Sequence, residues 1–572
     1  MNTGRQLLDR LVSGRRGCGP GAADAKLALL DALARVRLRR PRDIAAFHDE
    51  LLYLKAFPDN AAVRAAAERA LAGFVTRVRR LPGRERRRFD DRGLVASVSR
   101  HTFEAPIARW LVERFGADAE IDWRHLGDSS GVDFLLGLLT RRAEQDGLES
   151  QELTTRQWLR RIRRTAQSSD LAWLLAELAR QRATRPIWQG LYDQARVPVA
   201  WRLHNSAGAA THNALPVRAI HYRGRGLRRL PADPKRLIAT RLEDIALLGR
   251  RRAETIIDIA RAALTARCRE VYAISHANPG EVYLADLGAG TALALIGVVP
   301  ARRLSLESNY GYLLLSNGVP VGYAGVTPLY RQANTGINIF ESFRGSEAGF
   351  LFAQTLRAFR TLFGVDRFVL NPYQVGAGNP EAIESGAFWF YYRLGFRPVV
   401  RALAGLAATE HRRRLASPRH RTDDATLTRL AQADLELVLP RARARDRFAE
   451  RWLGDLSLLA SEQLTRGAGG DRGLDGERVA RRVAEALGVR GIARWSGPER
   501  TAFTALAPLA ALLDLGSLDS RARAELVRLM RAKGAAQEAP YVRAAAASRW
   551  FVPGLVAVAK RAARPDTRRE AT

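Results

Sequence analysis

Apolar residues recur at spacings of three and four along much of the chain, and arginines occupy many of the positions between them. This pattern predicts amphipathic helices over 25–39, 60–80, 154–164 and 171–182. Proline, glycine and aspartate interrupt it between these segments, as they do at helix ends. The first 215 residues are therefore predicted to form an arginine-rich helical region.

Residues 216–269 are predicted to form a basic helical connector, with one helix over 242–267. Three consecutive arginines, Arg250, Arg251 and Arg252, mark its most basic point. Such a cluster can contact a polyanion such as nucleic acid, because it displaces the counterions of the phosphates. A charge run is more often simply a solvated helix face, so both interpretations stay open.

The pattern changes after Cys268. Strand-like stretches cover 270–275, 281–287 and 291–299, and 310–316 and 321–326 flank Asn317-Gly318, the sequence of a tight hairpin turn. A strand over 336–343, a helix over 350–363, a strand over 367–375 and a helix over 381–394 follow. The order predicts a mixed sheet with helical crossovers and therefore an α/β domain over 270–405.

Helical regions flank this predicted domain on both sides. After it we expect a helical segment over 421–465, a glycine-rich linker over 466–476 and a C-terminal helical region over 477–572. The fold class predicted for the whole chain is α/β, flanked by large all-α regions.

Composition locates the charge. The 572 residues include 92 Lys+Arg and 59 Asp+Glu, a formal net charge of +33, and 47% of them are hydrophobic, enough to build real cores. Between 305 and 400 seven arginines face six acidic residues. The positive charge therefore belongs to the surrounding helices and says more about partners than about a reaction.

Several classes of protein are not expected. The two cysteines cannot build a disulfide framework, and with no apolar leader or long apolar stretch the sequence predicts a cytoplasmic protein without membrane spans. Asp122, His125, Asp128 and Asp133 are close in sequence, but their spacing matches no metal-binding pattern. No metal site is predicted.

One glycine-containing turn has the form of an anion site. The sequence R-G-S-E-A-G at 344–349 follows a predicted strand and opens a helix, so free backbone N–H groups and the positive end of the helix dipole would face a phosphate. A purely structural interpretation is also available. Ser346 would then cap the helix and Glu347 would lie in its first turn.

A second motif extends this pattern. The sequence A-F-W-F-Y-Y-R-L-G-F-R-P at 387–398 resembles a motif of the GNAT (N-acetyltransferase-like) superfamily. The hairpin at 317–323 looks like the central hairpin of that superfamily, and residues 344–349 lie where its pyrophosphate loop follows the fourth strand. The resemblance covers about 305–400. It implies an acyl-CoA substrate, held in a gap between two splayed strands, and no metal.

The resemblance also implies roles for individual residues. Tyr391 would protonate the departing thiolate, and Glu341 is the candidate base for the attacking amine. The residues expected to bind the acyl-CoA are Phe343, Arg344, Gly345, Ser346 and Gly349. Two positions depart from the superfamily pattern: Glu347 stands where the first loop glycine is expected, and Glu384 where many members have asparagine.

The resemblance therefore predicts an N-acyltransferase that takes its acyl group from acetyl-CoA or another acyl-CoA, with an unidentified amine as acceptor. Three alternatives stay open. The domain could be a non-catalytic scaffold that binds nucleic acid or protein, or it could take the acyl group from aminoacyl-tRNA. The sequence Asp286-Leu287-Gly288-Ala289-Gly290 also looks like the S-adenosylmethionine turn of methyltransferases.

Overall fold

A computed structural model describes the chain over residues 3–126, 130–150, 153–163, 169–181, 185–417, 419–440, 442, 447–465 and 472–562. Over these residues it is a mixed α/β protein with one large sheet and many helices. None of the described helices has both the length and the apolar character needed to cross a membrane.

The N-terminal region is largely helical, as predicted, but it also contains a small antiparallel sheet of strand order β1-β3-β2. Its elements are α1 (Thr3–Gly14), α2 (Pro20–Arg35), α3 (Pro41–Ala56), α4 (Ala61–Ala72), α5 (Phe74–Arg79), α6 (Gly83–Arg86), β1 (Val98–His101), α7 (Ala105–Phe115), β2 (Ala119–Ile121), α8 (Ser130–Leu139), α9 (Arg142–Glu149), α10 (Thr155–Ile162), α11 (Asp170–Arg180), α12 (Arg185–Ala195) and β3 (Val199–Arg202).

The large sheet occupies the middle of the chain. Its elements and the helices between them are α13 (Pro234–Ala239), β4 (Ile245–Leu247), α14 (Arg250–Thr265), α15 (Tyr272–Ser275), β5 (Ala277–Gly288), β6 (Thr291–Val298), β7 (Tyr310–Ser316), β8 (Val319–Leu329), β9 (Gln332–Thr335), β10 (Asn338–Ile339), α16 (Ala348–Phe363), β11 (Arg367–Leu370), α17 (Pro380–Glu384), α18 (Ala387–Arg393), β12 (Arg397–Pro398), α19 (Arg401–Ala416), α20 (Asp424–Leu430) and β13 (Leu435–Val438). The strand order is β12-β13-β11-β9-β8-β7-β6-β5-β4, and β10 pairs with β8.

The predicted hairpin at Asn317-Gly318 is confirmed. β7 and β8 pair antiparallel, and Ser316 faces Val319 across the turn. Asn317 and Gly318 have φ angles of 48° and 81°, the left-handed conformation that a two-residue hairpin turn needs. The Asn317 side chain also hydrogen-bonds to the carbonyl oxygen of Ala56 at the end of α3 (3.0 Å). The turn therefore joins the sheet to the N-terminal region.

Five predicted elements differ from the structure. The predicted helix over 242–267 contains β4 before α14, and the predicted strand over 270–275 is the short helix α15. The predicted strand over 336–343 is reduced to β10 and a 3-10 turn, with β9 before it, and the helix over 381–394 is split into α17 and α18. The predicted helical segment over 421–465 contains β13. The missed strands have two to four residues, and their partners lie far away in the sequence.

The C-terminal region packs against the sheet. Its elements are α21 (Arg451–Thr465), α22 (Arg472–Ala486), α23 (Gly497–Ala510), α24 (Ser520–Ala532), α25 (Ala539–Ala547) and α26 (Phe551–Ala562). α25 contacts α16 and β8. The predicted linker over 466–476 lies outside the described residues up to 471, and its last residues belong to α22.

Candidate functional site

Among the described residues the large sheet has one parallel strand pair, β9 with β11, and the other pairings are antiparallel. The two strands pair in register from Gln332 and Arg367 to Asn334 and Val369. Beyond this point their pairing ends: the chain after β9 stays beside β8, where β10 continues the register of β9, whereas β11 leads into a 3-10 turn over Pro372–Val375. The carboxyl ends of parallel strands are where open α/β sheets bind ligands.

A cavity of about 770 Å³ opens at this separation. Its wall carries four arginines, five carboxylates and six side-chain amides, so positive and negative groups nearly balance. The charged members are Asp49, Asp91, Arg92, Arg267, Arg269, Glu270, Glu341, Arg344 and Glu381. A cavity with this lining suits a polar molecule that offers both hydrogen-bond donors and acceptors. We call it the polar cavity.

Tyr391 supports the strand separation from behind. Its side chain is 3% exposed, and its hydroxyl accepts a hydrogen bond from the backbone N–H of Ile337, between β9 and β10, at 3.3 Å. Burial raises the pKa of Tyr391 to about 12. Tyr391 is not one of the described residues that line the cavity. Its hydroxyl lies at the backbone where β9 leaves β11.

Glu341, the candidate base, lies at the exposed rim of the polar cavity. It begins a 3-10 turn, Glu341–Phe343, where a strand had been predicted. One carboxylate oxygen is 3.5 Å from Nη2 of Arg92, and the side chain is 69% exposed. The described structure shows no contact between Glu341 and Tyr391. The structure therefore does not bring the two predicted catalytic residues together.

The predicted loop residues surround the N-terminus of α16, where other parts of the chain cover them. Phe343 is fully buried, with its ring centroid 6.4 Å from that of Phe57. Arg344 pairs with Glu381, and its carbonyl oxygen accepts a hydrogen bond from Arg15. Gly345, with φ of 80°, lies against the guanidinium of Arg16, and Gly349 lies against Leu230.

Glu347 occupies the anion position at this helix end. Its side chain is fully buried and accepts hydrogen bonds from Nε of Arg223 (3.0 Å) and from Nε (2.9 Å) and Nη2 (2.7 Å) of Arg228. The backbone N–H of Arg228 donates to the same carboxylate at 2.9 Å. Glu347 also takes the N-cap position that was predicted for Ser346, although its carboxylate bonds to the arginines and not to the helix N–H groups.

The loop therefore does not fit the diphosphate of a CoA molecule. A diphosphate there would meet the carboxylate of Glu347, and two like charges in a buried site repel strongly. The space above the loop is filled by Arg16 and Leu230, and the guanidinium of Arg228 lies 4.3 Å from the ring centroid of Phe350. The two arginines that would bind a phosphate both pair with Glu347, whose single negative charge offsets one of their two positive charges.

The sequence did not identify several residues of the site. Burial raises the pKa of the Glu270 carboxyl on the cavity wall to about 8, and the negative charges of Glu104 and Asp193 add to this effect. Arg267 lies over the ring of Phe340 at 4.2 Å, and burial lowers its pKa to about 10. Arg267 and Glu270 are three residues apart, but they lie far in sequence from the other segments that line the cavity, so no local motif marks them.

Asn334 ends the parallel pairing. Its Oδ1 is buried and has no hydrogen-bond partner among the described residues. Arg223 and Arg228 belong to the basic connector, and the sequence showed their charge but not that they turn inward to Glu347.

Other predicted sites are also located. Asp286 to Gly290 forms the turn between the antiparallel strands β5 and β6, so no helix follows it as in a methyltransferase. Nδ1 of His125 lies 2.9 Å from Oδ2 of Asp122, and Asp128 lies outside the described residues. The described residues hold no group of three or more potential metal ligands. Arg250, Arg251 and Arg252 are exposed in the first turn of α14, and Arg250 pairs with Glu254 at 2.9 Å.

Comparison with known protein families, with curated proteins and with solved structures found no match for this chain. The geometry of the polar cavity and of the Glu347 cluster therefore carries the functional argument.

Proposed function

We propose that this protein is an N-acyltransferase that joins an acyl group to an amine in the polar cavity. The observation that carries the proposal is the parallel pair β9 and β11, which separates directly over that cavity in an otherwise antiparallel sheet. The superfamily that the sequence resembles holds its acyl donor between two splayed strands.

The donor that the site favours is the aminoacyl ester of a tRNA, one of the alternatives left open by the sequence. Acyl-CoA needs a place for its diphosphate, and Glu347 fills the helix end where the resemblance would put it. An aminoacyl-tRNA can instead be held through phosphates far from its reactive ester. The balanced charges of the cavity wall suit the amino group of the donor and the amine of the acceptor.

In this reaction the amine nitrogen forms a bond to the acyl carbon and the ester C–O bond breaks. The nitrogen loses a proton to a carboxylate on the wall, for which Glu341 at the rim and Glu270 are the candidates. A carboxyl with a pKa of about 8 is well matched to proton transfer near neutral pH. The departing 3′ oxygen of the ribose takes a proton in turn.

Tyr391, which lies behind the cavity wall and not on it, is the candidate donor of that last proton, so the leaving oxygen has to enter between β9 and β11 to reach its hydroxyl. Its hydroxyl accepts from Ile337, and no acceptor for its own proton is present among the described residues. With a pKa of about 12 it would protonate a thiolate, whose thiol has a pKa of about 8.5, only at a cost of about 5 kcal/mol. An alkoxide is a far stronger base, so the acidity of Tyr391 suits an ester donor better than a thioester.

The test uses hydroxylamine as a small amine acceptor and a mixture of aminoacyl-tRNAs as donor. We expect the full chain to form aminoacyl hydroxamates above the spontaneous rate. Tyr391→Phe should lower kcat by at least about 100-fold with little change in KM, because the proton donor is lost. Tyr392→Phe is the matched control, since Tyr392 lies in the same helix and its hydroxyl makes no hydrogen bond with the described residues.

Two outcomes would contradict the proposal. Release of free thiol from acetyl-CoA without any reaction of aminoacyl-tRNA would restore acyl-CoA as the donor. The absence of transfer from either donor would favour the non-catalytic scaffold. Equal losses in the Tyr391 and Tyr392 variants would show that Tyr391 acts only in packing.

A further inference from the structure

A second cleft lies in the N-terminal region, where the segment between α2 and α3 meets α5 and the turn after it. It has a volume of about 580 Å³, and five of its lining residues are arginines. The remaining lining residues are uncharged, so no carboxylate faces the described part of the cleft. We call it the arginine cleft, lined by Arg35, Arg37, Arg39, Arg77 and Arg80.

Arg77 orders this cleft. Its guanidinium donates to the carbonyl oxygens of Leu33 (2.7 Å) and Ala34 (3.3 Å) at the end of α2. It also lies over the ring of Phe47 in α3, 5.2 Å from the centroid. Burial and, to a smaller extent, the positive charge of Arg80 lower the pKa of Arg77. Arg77 therefore fixes the two walls relative to each other and is not a free contact.

The other four arginines are exposed and available. Arg35, Arg37, Arg39 and Arg80 form no ion pair with any residue that the structure describes. Elsewhere in the chain exposed arginines do find partners, as Arg250 does with Glu254. Like charges gathered in a concave surface repel one another and raise the local positive potential. An anionic partner would relieve that repulsion.

We propose that the arginine cleft binds the sugar–phosphate backbone of RNA. Guanidinium groups hold phosphates through two parallel hydrogen bonds, which a lysine cannot do. Several of them along one cleft can follow successive phosphates of a strand. The inference rests on the proposed function and deepens it, because it names the surface that holds the tRNA of the donor.

The lining favours RNA over a membrane surface. Peripheral membrane binding requires large apolar side chains that enter the lipid next to the basic residues. None of the large exposed apolar side chains of the described chain lies in this cleft. The cleft is also concave, which fits a strand better than a flat bilayer.

The cleft and the polar cavity share helix α3. Arg77 contacts Phe47, and Asp49, two residues further along the helix, lines the polar cavity. From Pro41, at the cleft end of α3, to Asp49 the helix rises about 12 Å. A nucleic-acid strand advances about 3.4 Å per nucleotide. Both sites therefore lie against α3, and the proposal expects the single-stranded 3′ end of a tRNA held in the cleft to extend along this side of the molecule to the cavity.

The test measures binding of a fluorescein-labelled tRNA transcript to the full chain by anisotropy at several salt concentrations. The triple variant Arg37→Gln, Arg39→Gln, Arg80→Gln should bind at least about 10-fold more weakly, and the slope of log affinity against log salt should fall by about 2 to 3. The control replaces Arg250, Arg251 and Arg252 with glutamine, which removes the same charge elsewhere. It should change affinity less than about twofold.

Equal weakening by both triple variants would overturn the proposal, since only net charge would then matter. If the protein binds vesicles rich in phosphatidylserine as tightly as it binds tRNA, and the cleft variant loses the same affinity for both, the cleft is a membrane-binding site instead. The hydroxamate assay separates the two proposals. If the cleft variant transfers the acyl group as fast as the wild-type protein at low tRNA concentration, only the proposal that the cleft binds tRNA is contradicted. If the cleft binds tRNA but no transfer occurs, only the proposed N-acyltransferase activity is contradicted.

Discussion

At the scale of single residues, the carboxylate of Glu347 determines what the N-terminus of α16 can bind. It satisfies Arg223 and Arg228 from inside the protein and ties the basic connector to the helix. Arg228 also donates to the carbonyl oxygen of Gly288 (3.1 Å) and to Oγ1 of Thr291 (2.9 Å) in the β5–β6 hairpin. One acidic residue thereby holds three segments together.

Replacement of Glu347 by glycine should convert this cluster into an anion site. The variant leaves the buried Arg223 and the partly exposed Arg228 without their carboxylate, and we expect a loss of about 3–5 kcal/mol in the free energy of unfolding. Millimolar pyrophosphate should raise the melting temperature of Glu347→Gly, because it can occupy the vacated space and neutralise both guanidinium groups.

Glu347→Gln is the matched control for this experiment. It also removes the charge, but the amide still fills the space, so pyrophosphate should raise its melting temperature little. If pyrophosphate raised the melting temperature of the wild-type protein as much as that of Glu347→Gly, the conclusion that Glu347 already fills the site would be contradicted.

At the scale of elements, the hairpin of β7 and β8 shows how a local signal and a long-range contact combine. The turn needs left-handed backbone at Asn317 and Gly318, which the two residues adopt easily. The carbonyl oxygen of Gly318 then accepts a hydrogen bond from the N–H of Leu215 at 2.8 Å. The turn is thus also a contact between the sheet and the N-terminal region.

Gly318→Ala should be more destabilising than the same change at Gly364. Both glycines have positive φ, 81° and 74°, so an alanine costs about 1–2 kcal/mol of backbone strain at either position. A Cβ at Gly318 would also overlap the carbonyl oxygen of Leu215, whereas nothing lies within 4 Å of one at Gly364. Urea unfolding of the two variants measures the difference, and equal losses would mean that the contact with Leu215 is easily displaced.

At the scale of the whole molecule, buried charges join the C-terminal helices to the sheet. Glu281 of β5 accepts hydrogen bonds from the hydroxyl of Tyr310 (2.7 Å) and from the backbone N–H groups of Glu538 (2.6 Å) and Ala539 (2.9 Å). Nε of Arg303 lies 3.5 Å from Oε2 of Glu538, and Lys533 lies 2.5 Å from Oε1. This network fixes α25 against β8 and α16.

Lys533→Met should loosen this attachment. The ammonium of Lys533 is buried, and its removal leaves Glu538 with less positive charge, which we expect to cost about 3 kcal/mol or more. Hydrogen exchange in α25 should accelerate more than exchange in β7. The control is Glu254→Gln, which breaks the exposed ion pair with Arg250 and should lower the free energy of unfolding by under about 1 kcal/mol. Unchanged protection of α25 in the Lys533 variant would show that apolar packing alone holds the region.

The resemblance to acyltransferases located the segment of the candidate site but not its arrangement. Residues 387–398 and 344–349 do lie close together, because α18 packs on the first turns of α16, with the ring centroids of Tyr391 and Phe352 5.7 Å apart. The polar cavity, however, is lined by Asp49, Arg267 and Glu270 as well, which come from outside the motifs. The arginines that bind Glu347 in the loop, Arg223 and Arg228, belong to the basic connector and lie more than 100 residues away from it in the chain.

The sequence by itself determined the elements that depend on neighbouring residues: the Asn317-Gly318 hairpin, the helices of the N-terminal region and the helix after residue 349. Backbone preferences and apolar periodicity act over a few residues, so they can be read locally. The tertiary structure alone decided the short strands β4 and β13, the parallel pair over the cavity, and the burial of Glu347 between two arginines. These features depend on partners that are distant in sequence, because hydrogen bonds and ion pairs form only after the chain has brought them together.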